Sequence, residues 1–406
     1  MKKTLAAVAV LGAFAGSALA ADVQLYGIVD TGLRYTHFDA DAMHAGYDAT
    51  DTFEMRSGQQ SGSRFGFKGV EDLGNGLKVG FILENQFDSD DGSLNDSGLL
   101  FHREASLFLE GGFGKLAMGR MGSVNGGTSS WGKYGVLSAF GTSWDYTAQV
   151  GSWAIGGGLW DNMVAYETPN FAGFKVFAQY GMGNAVKNNN SVENESTSDR
   201  YYAIGASYGN GPLNLYFAVD SINYASYKDG AAASAIDQNG DDSLTITFGG
   251  NYDFEVVKVF GGVQYFDEIK TSKLGCGIGM MDAGEYNSAT GIGTDAVASD
   301  FASRMKGWSL GLSASVPVAG GSVLVGAAYL DAEAADSQDV AGATTKVNDE
   351  MTRWIVSAGY DYPLSKRTNV YGILTYAQDS LEYTDTATPD QDPTIFAAMI
   401  GLRHKF

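Results

Sequence analysis

From Thr394 to Phe406 the chain alternates with a period of two. Phe396, Ala398, Ile400, Leu402 and Phe406 fall on one parity, and Gly401, Arg403 and Lys405 on the other. An apolar set facing one way and a charged set facing the other describes a strand with a different solvent on each face. The segment runs out on an aromatic in mid-strand, Gly401-Leu402-Arg403-His404-Lys405-Phe406, which leaves no room for a covering layer and reads as a closing strand. The alternation recurs along the chain. Between Asp22 and Phe38, Val23, Leu25, Val29, Leu33 and Tyr35 oppose Gln24, Asp30 and Arg34. Leu77-Val79-Phe81-Leu83 opposes Lys78-Glu84-Gln86, Leu213-Leu215-Phe217-Val219 opposes Asn214-Tyr216-Asp220, and Leu244-Ile246-Phe248 opposes Ser243-Thr245-Thr247. Trp308-Leu310-Leu312-Ala314-Val316 opposes Ser309-Ser313-Ser315. Strands of about 9 to 12 residues suit a tilted membrane strand, whereas the strands of a soluble sandwich run nearer five or six.

The other end carries an export signal. Met1-Lys2-Lys3 is a basic n-region, Leu5 to Gly16 an apolar h-region, and Ala18-Leu19-Ala20 a small-residue cleavage site. The apolar run is shorter than the roughly 20 residues of a spanning helix, and no cysteine near the cleavage site invites a lipid anchor. The expectation is a leader over 1–20 and a single β-barrel domain over 21–406, with the net charge passing from −21 to −23 as two lysines leave. Past the leader no apolar run approaches spanning-helix length, so membrane residence has to be β. Gly at 55, aromatics at 12% and Pro at 6 suit long strands, tight turns and aromatic girdles. The acidic balance argues against nucleic acid as a partner.

The connectors fall into two populations. Short ones carry turn chemistry: Asp72-Leu73-Gly74-Asn75-Gly76, Gly111-Gly112-Phe113-Gly114, Pro169-Asn170-Phe171-Ala172, Gly209-Asn210-Gly211-Pro212, Asp253-Phe254-Glu255, Pro317-Val318-Ala319-Gly320 and Asp361 to Arg367. Long polar ones span 37–59, 88–99, 122–160, 182–199, 225–241, 268–304, 333–350 and 379–393. Long and short alternate strictly, and together they predict sixteen strands with both termini on the short-turn side, as in outer-membrane barrels. A sixteen-stranded barrel leaves an aqueous channel where an eight-stranded one is filled by side chains.

Gly62-Ser63-Arg64-Phe65-Gly66-Phe67-Lys68-Gly69-Val70-Glu71-Asp72-Leu73-Gly74, continuing to Gly76-Leu77-Lys78, resembles the strand-turn-strand signature of Gram-negative trimeric general porins of the β-proteobacterial type. Val23 to Asp30, Tyr166 to Phe174, Leu364 to Thr368 and the terminal Gly401 to Phe406 resemble it as well, so the likeness spans the chain. It implies a transmembrane all-β fold, a sixteen-stranded antiparallel β-barrel with a third loop folded into the lumen. It also implies a homotrimer in the outer membrane, in contact with lipid and lipopolysaccharide, that passes small hydrophilic solutes by passive diffusion.

The family's constriction sets wall arginines against acids on the third loop. Arg64 matches the wall position, and parity points Arg64, Lys68 and Arg34 inward, because a cation on the lipid face would cost roughly 2–4 kcal/mol at mid-membrane. Arg103 is ambiguous. The resemblance puts it on the wall, yet it shares parity with Leu107 and Leu109, and an inward Arg103 on a regular strand would turn Glu104 outward. The third loop departs from the family. Trp160-Asp161-Asn162 stands where an arginine is usual, and between Gly122 and Trp160 the only charges are Lys133 and Asp145. Trp131, Trp144, Trp153 and Trp160 lie there too; such rings either fasten the loop to the wall or offer stacking surface to sugars or aromatic solutes.

The remaining constellations are weak. His37, His44, His102 and His404 show no metal-ligand spacing, and Asp237 to Asp242 lacks the distal Glu and helical flanks of a calcium loop. Acid runs such as Asp88-Ser89-Asp90-Asp91 could hold divalent cations that bridge lipopolysaccharide phosphates. Cys276 has no intramolecular partner and reads as an incidental loop thiol. No cofactor is implied. A barrel enzyme would need a nucleophile or acid pair with a His at the outer rim, and histidines are too few. The serious alternative to a general pore is a substrate-selective channel built on the aromatic loop.

Overall fold

The computed structural model describes residues 23–39, 49–95, 98–142, 150–153, 158–183, 192–225, 241–270, 304–335, 349–384 and 390–406. The leader, His44, Trp144, Asp145, Cys276 and Asp237 to Gly240 lie outside the described residues.

Seventeen strands follow one another: β1 (Gln24–Asp39), β2 (Ala49–Ser57), β3 (Arg64–Gly74), β4 (Leu77–Gln86), β5 (Glu104–Gly111), β6 (Gly114–Gly122), β7 (Leu159–Glu167), β8 (Phe174–Gly181), β9 (Arg200–Asn210), β10 (Leu213–Asn223), β11 (Leu244–Asp253), β12 (Lys258–Lys270), β13 (Arg304–Val318), β14 (Gly321–Ala334), β15 (Glu350–Pro363), β16 (Thr368–Glu382) and β17 (Thr394–Lys405). They fill sixteen places. β2 pairs with the Thr31–Asp39 half of β1 and β3 with its Gln24–Ile28 half, so both lie on one edge of β1 and act as a single interrupted wall strand. From β3 onward each strand pairs antiparallel with the next, and β17 pairs with β1 from Ile28↔Lys405 to Asp39↔Thr394, which closes the barrel. A closed antiparallel ladder leaves no backbone group unpaired in lipid.

The seven short turns stand where the sequence places them. The predicted loop over 37–59 is the exception, since most of it is strand: β1 runs on to Asp39 and β2 begins at Ala49. Two Thr and a Phe within Ala49–Ser57 suit a strand, but its mixed parity hid the ladder.

Parity sorts the faces as expected. Leu107, Leu310, Leu312, Phe248 and Ile400 are exposed on the outer side, where hydrocarbon takes the place of water. Aromatic pairs mark the outer band's edges: Trp308–Tyr329 (5.5 Å) and Trp354–Tyr376 (5.1 Å) toward the long loops, Tyr252–Phe254 (4.5 Å) and Tyr360–Tyr362 (6.3 Å) beside the short turns. At the seam Phe406 N donates to Gly27 O (3.1 Å) and Gly27 N to Phe406 O (3.2 Å). The Phe406 ring lies so close over Gly27 that a Cβ there would sit 2.3 Å from it, which is why glycine occupies that site.

Candidate channel constriction

Arg64 opens β3 on the inner face, level with Gln86 of β4. Its Nε lies 4.0 Å from Glu84 Oε2, which also accepts from Tyr26 OH (3.0 Å). Glu84 Oε1 accepts from Arg103 Nε (2.6 Å), and Arg103 Nη1 donates to Gln86 Oε1 (2.5 Å). One carboxylate thus anchors two guanidiniums, which keeps both groups on the wall and offsets only part of their charge.

The Arg103 ambiguity dissolves because Arg103 precedes β5 and escapes its parity. Within β5, Glu104 faces inward opposite Glu84 and is 2% exposed, while Leu107 points out at 54%. The expected conflict between Arg103 and Glu104 therefore does not arise. Glu104 is satisfied by Ser106 Oγ (2.7 Å), Ser130 N (2.8 Å) and Ser130 Oγ (2.9 Å), so a wall acid holds the segment after β6. Arg34 is on the inner face as parity requires but is tied up: it gives Nε (3.0 Å) and Nη2 (2.8 Å) to Glu54 Oε1 of β2. Lys68 is exposed near the short-turn end, its ammonium 5.1 Å from the Tyr26 ring.

Residues 123–142 and 150–153, which follow β6, reach wall strands all round the barrel. Val124 N donates to Gln179 Oε1 (2.8 Å) on β8, and Tyr216 OH on β10 donates to Asn125 Oδ1 (2.7 Å). Asn251 Nδ2 on β11 donates to Val136 O (2.8 Å), and Gln264 Nε2 on β12 to Tyr134 OH (3.1 Å). Burial pushes the Tyr134 hydroxyl well up from its ordinary range, so it stays a neutral acceptor. Farther round, Ala139 N donates to Ser313 Oγ (3.0 Å) on β13, and Phe140 is buried among Leu324, Tyr371, Ile373, Ala397 and Met399 of β14, β16 and β17. Arg353 on β15 donates through Nη1 to Gly151 O (2.6 Å) and pairs two-pronged with Asp379 through Nε (2.5 Å) and Nη2 (2.7 Å), all of it inaccessible.

Among the described residues, the tryptophans of this stretch are occupied by protein. Trp131 is 3% exposed and Trp153 1%. Trp153 stands edge-on to Tyr134 at 5.6 Å and lies over Gly262, where a Cβ would approach its ring to 2.8 Å. Trp160, at the start of β7, stacks on Tyr201 at 5.2 Å. Lys133 Nζ reaches Glu167 Oε2 (3.0 Å), whose other oxygen takes Lys175 Nζ (2.7 Å), so the cation of this segment is fastened to the wall as well.

A cavity of about 390 Å³ remains between this segment and the wall. Its lining includes Arg64, Arg403, Asp361, Gln60, Ser61, Phe140 and Thr142. Arg403 donates Nε to Asn369 Oδ1 (3.0 Å) and Nη1 to Ser61 Oγ (2.8 Å). Sequence reasoning set Arg403 on the charged parity of the last strand without assigning it to the site. That parity was the available signal. Arg64 and Arg403 come together, whereas Arg34 and Lys68 stand outside this lining.

A closed sixteen-place antiparallel barrel with an apolar outer belt and a charged inner face is a transmembrane β-barrel channel. Residues 6–381 match the Gram-negative porin family, and the chain belongs to it. It is 32% identical over 430 residues to an outer membrane porin protein of Bordetella pertussis and 31% over 426 residues to outer membrane porin protein 32 of Delftia acidovorans, each alignment covering 100% of both chains. Among solved structures it resembles the anion-selective porin from Comamonas acidovorans, with a TM-score of 0.62, 25% identity, and coverage of 95% of this chain and 100% of that one. The protein is a channel of the Gram-negative outer membrane and not an enzyme.

Proposed function

We propose that the protein passes small hydrophilic solutes and ions by passive diffusion, and that the segment after β6 is a third loop folded into the lumen to set the channel's width. The observation that carries this reading is the chain of hydrogen bonds from that segment to β8, β10, β11, β12, β13 and β15, which a loop lying outside the barrel could not make. The cavity that remains carries two guanidiniums and hydroxyl groups, a lining that suits hydrated solutes. A sugar- or aromatic-selective channel would need open rings, and among the described residues Trp131, Trp153 and Trp160 are all engaged by the protein's own residues, which favours the general pore. The family resemblance supports a homotrimer bounded by lipid and lipopolysaccharide, and the leader over 1–20 supports export with cleavage. Planar-bilayer recording of the purified protein tests the reading. Stepwise, ohmic increments in groups of three agree with it, and a monomeric, non-conducting protein overturns it.

A further inference from the structure

We infer that the interruption of the second wall strand, residues 58–63, is a second jaw of the constriction and that it aims Arg403 into the channel; this rests on the channel reading above. β2 ends at Ser57 and β3 begins at Arg64, and the six residues between them leave the ladder. Gly58 turns the chain at φ 72°, and a Cβ there would stand 2.9 Å from Gly62 Cα, so two glycines permit a tight fold-back.

What holds the fold-back lies on the inner face. The Asp30 carboxylate, fully buried on β1, accepts from Gln60 N (2.8 Å), Ser61 N (2.7 Å) and Tyr371 OH (2.7 Å). Gln60 Nε2 donates to Asp361 Oδ2 (2.9 Å), and Asn369 Nδ2 donates to Gln60 Oε1 (2.8 Å). Side chains from β1, β15 and β16 thus converge on this short backbone. An unbroken strand would complete the wall without calling on these side chains, so closure alone does not require the arrangement.

Two features say what it serves. Gln60 and Ser61 line the same cavity as Phe140, Gly141 and Thr142, so the opening is bounded by the fold-back as well as by the third loop. Ser61 Oγ and Asn369 Oδ1, both neutral, are the acceptors that fix the Arg403 guanidinium. These bonds orient its charge without pairing it directly with an acid, Asp361 on the same lining and the buried Asp30 being the nearby counter-charges, and a fixed charge in a narrow passage biases ion entry.

The test compares Gln60→Ala, Ser61→Ala, Arg403→Gln and Arg403→Lys with the unaltered protein in planar bilayers. It reads single-channel conductance, the size cut-off for polyethylene glycols, and the reversal potential in a KCl gradient. Gln60→Ala should raise conductance and move the cut-off to larger polymers. Arg403→Gln should shift the reversal potential toward cations with the cut-off unchanged, Ser61→Ala should shift it less in the same direction, and Arg403→Lys should restore it. If the unaltered protein conducts and the Gln60 and Arg403 variants match it in all three readouts, the inference is overturned. If the unaltered protein does not conduct, the channel reading fails instead. Heat-modifiable migration confirms that each variant has folded, and Ser61→Ala, the mildest change, keeps the test open if Gln60→Ala does not fold.

Discussion

Glu84 holds Arg103 at 2.6 Å while Arg64, at 4.0 Å, is held loosely. Of the two, Arg64 keeps the less compensated charge, since a more distant counter-charge cancels less of it. Arg64→Ser should therefore move the reversal potential toward cations, and an unchanged value would place the selective step elsewhere. Glu84→Gln should act the other way, freeing two guanidiniums from their shared acid and raising anion preference in the same recording. Which face a residue takes was legible in the sequence wherever a strand was regular, as for Arg34, Arg64 and Lys68, but not which of them line the cavity, where only Arg64 of the three stands. It was not legible at Arg103, because parity lapses one residue before a strand begins. Nor was the third loop's partnership with β8 to β17, which no period records.

At the scale of elements, the third loop is riveted rather than draped. The Arg353–Asp379 pair and its bond to Gly151 O lie wholly out of water. Removing one partner of such a pair strands the other, at a cost of about 3–5 kcal/mol. Asp379→Asn should thus loosen the 150–153 end of the loop, visible as added substates and current noise, together with a lower unfolding temperature in detergent. Quiet, unimodal openings in that variant would show that the other contacts suffice. The strands themselves were largely legible, because alternation and turn chemistry agree. The split between β2 and β3 was not, since Gly58 to Ser63 reads as ordinary loop sequence and its inward direction comes from Asp30, some thirty positions earlier.

Over the whole molecule, the described parts of the long connectors are rich in acids, among them Asp88, Asp90, Asp91, Glu193, Glu195, Asp390 and Asp392, whereas the short-turn ends mix signs, with Lys78, Lys115 and Lys258 beside Glu71, Asp72, Glu110 and Asp253. Acids at the outer mouth concentrate cations, and the guanidiniums of the inner wall oppose them. Salt screens exposed charges beyond about 8–10 Å, so the outer acids lose influence first as salt rises. Weak selectivity is expected in moderate salt, with a drift toward cations as salt is lowered, measured by reversal potentials over a dilution series. A preference independent of ionic strength would assign selectivity wholly to the constriction.

The seam between Gly27 and Phe406 sets a condition on assembly. The first strand finds one of its two neighbours only when β17, from Thr394 onward, has been delivered, the widest separation in sequence between paired strands among the described residues. Until then two unsatisfied edges exist, each a template for pairing with the wrong chain, and joining them demands the most distant encounter available to the polymer. A chain without β17 would therefore present an open sheet with two bare edges, not a smaller pore.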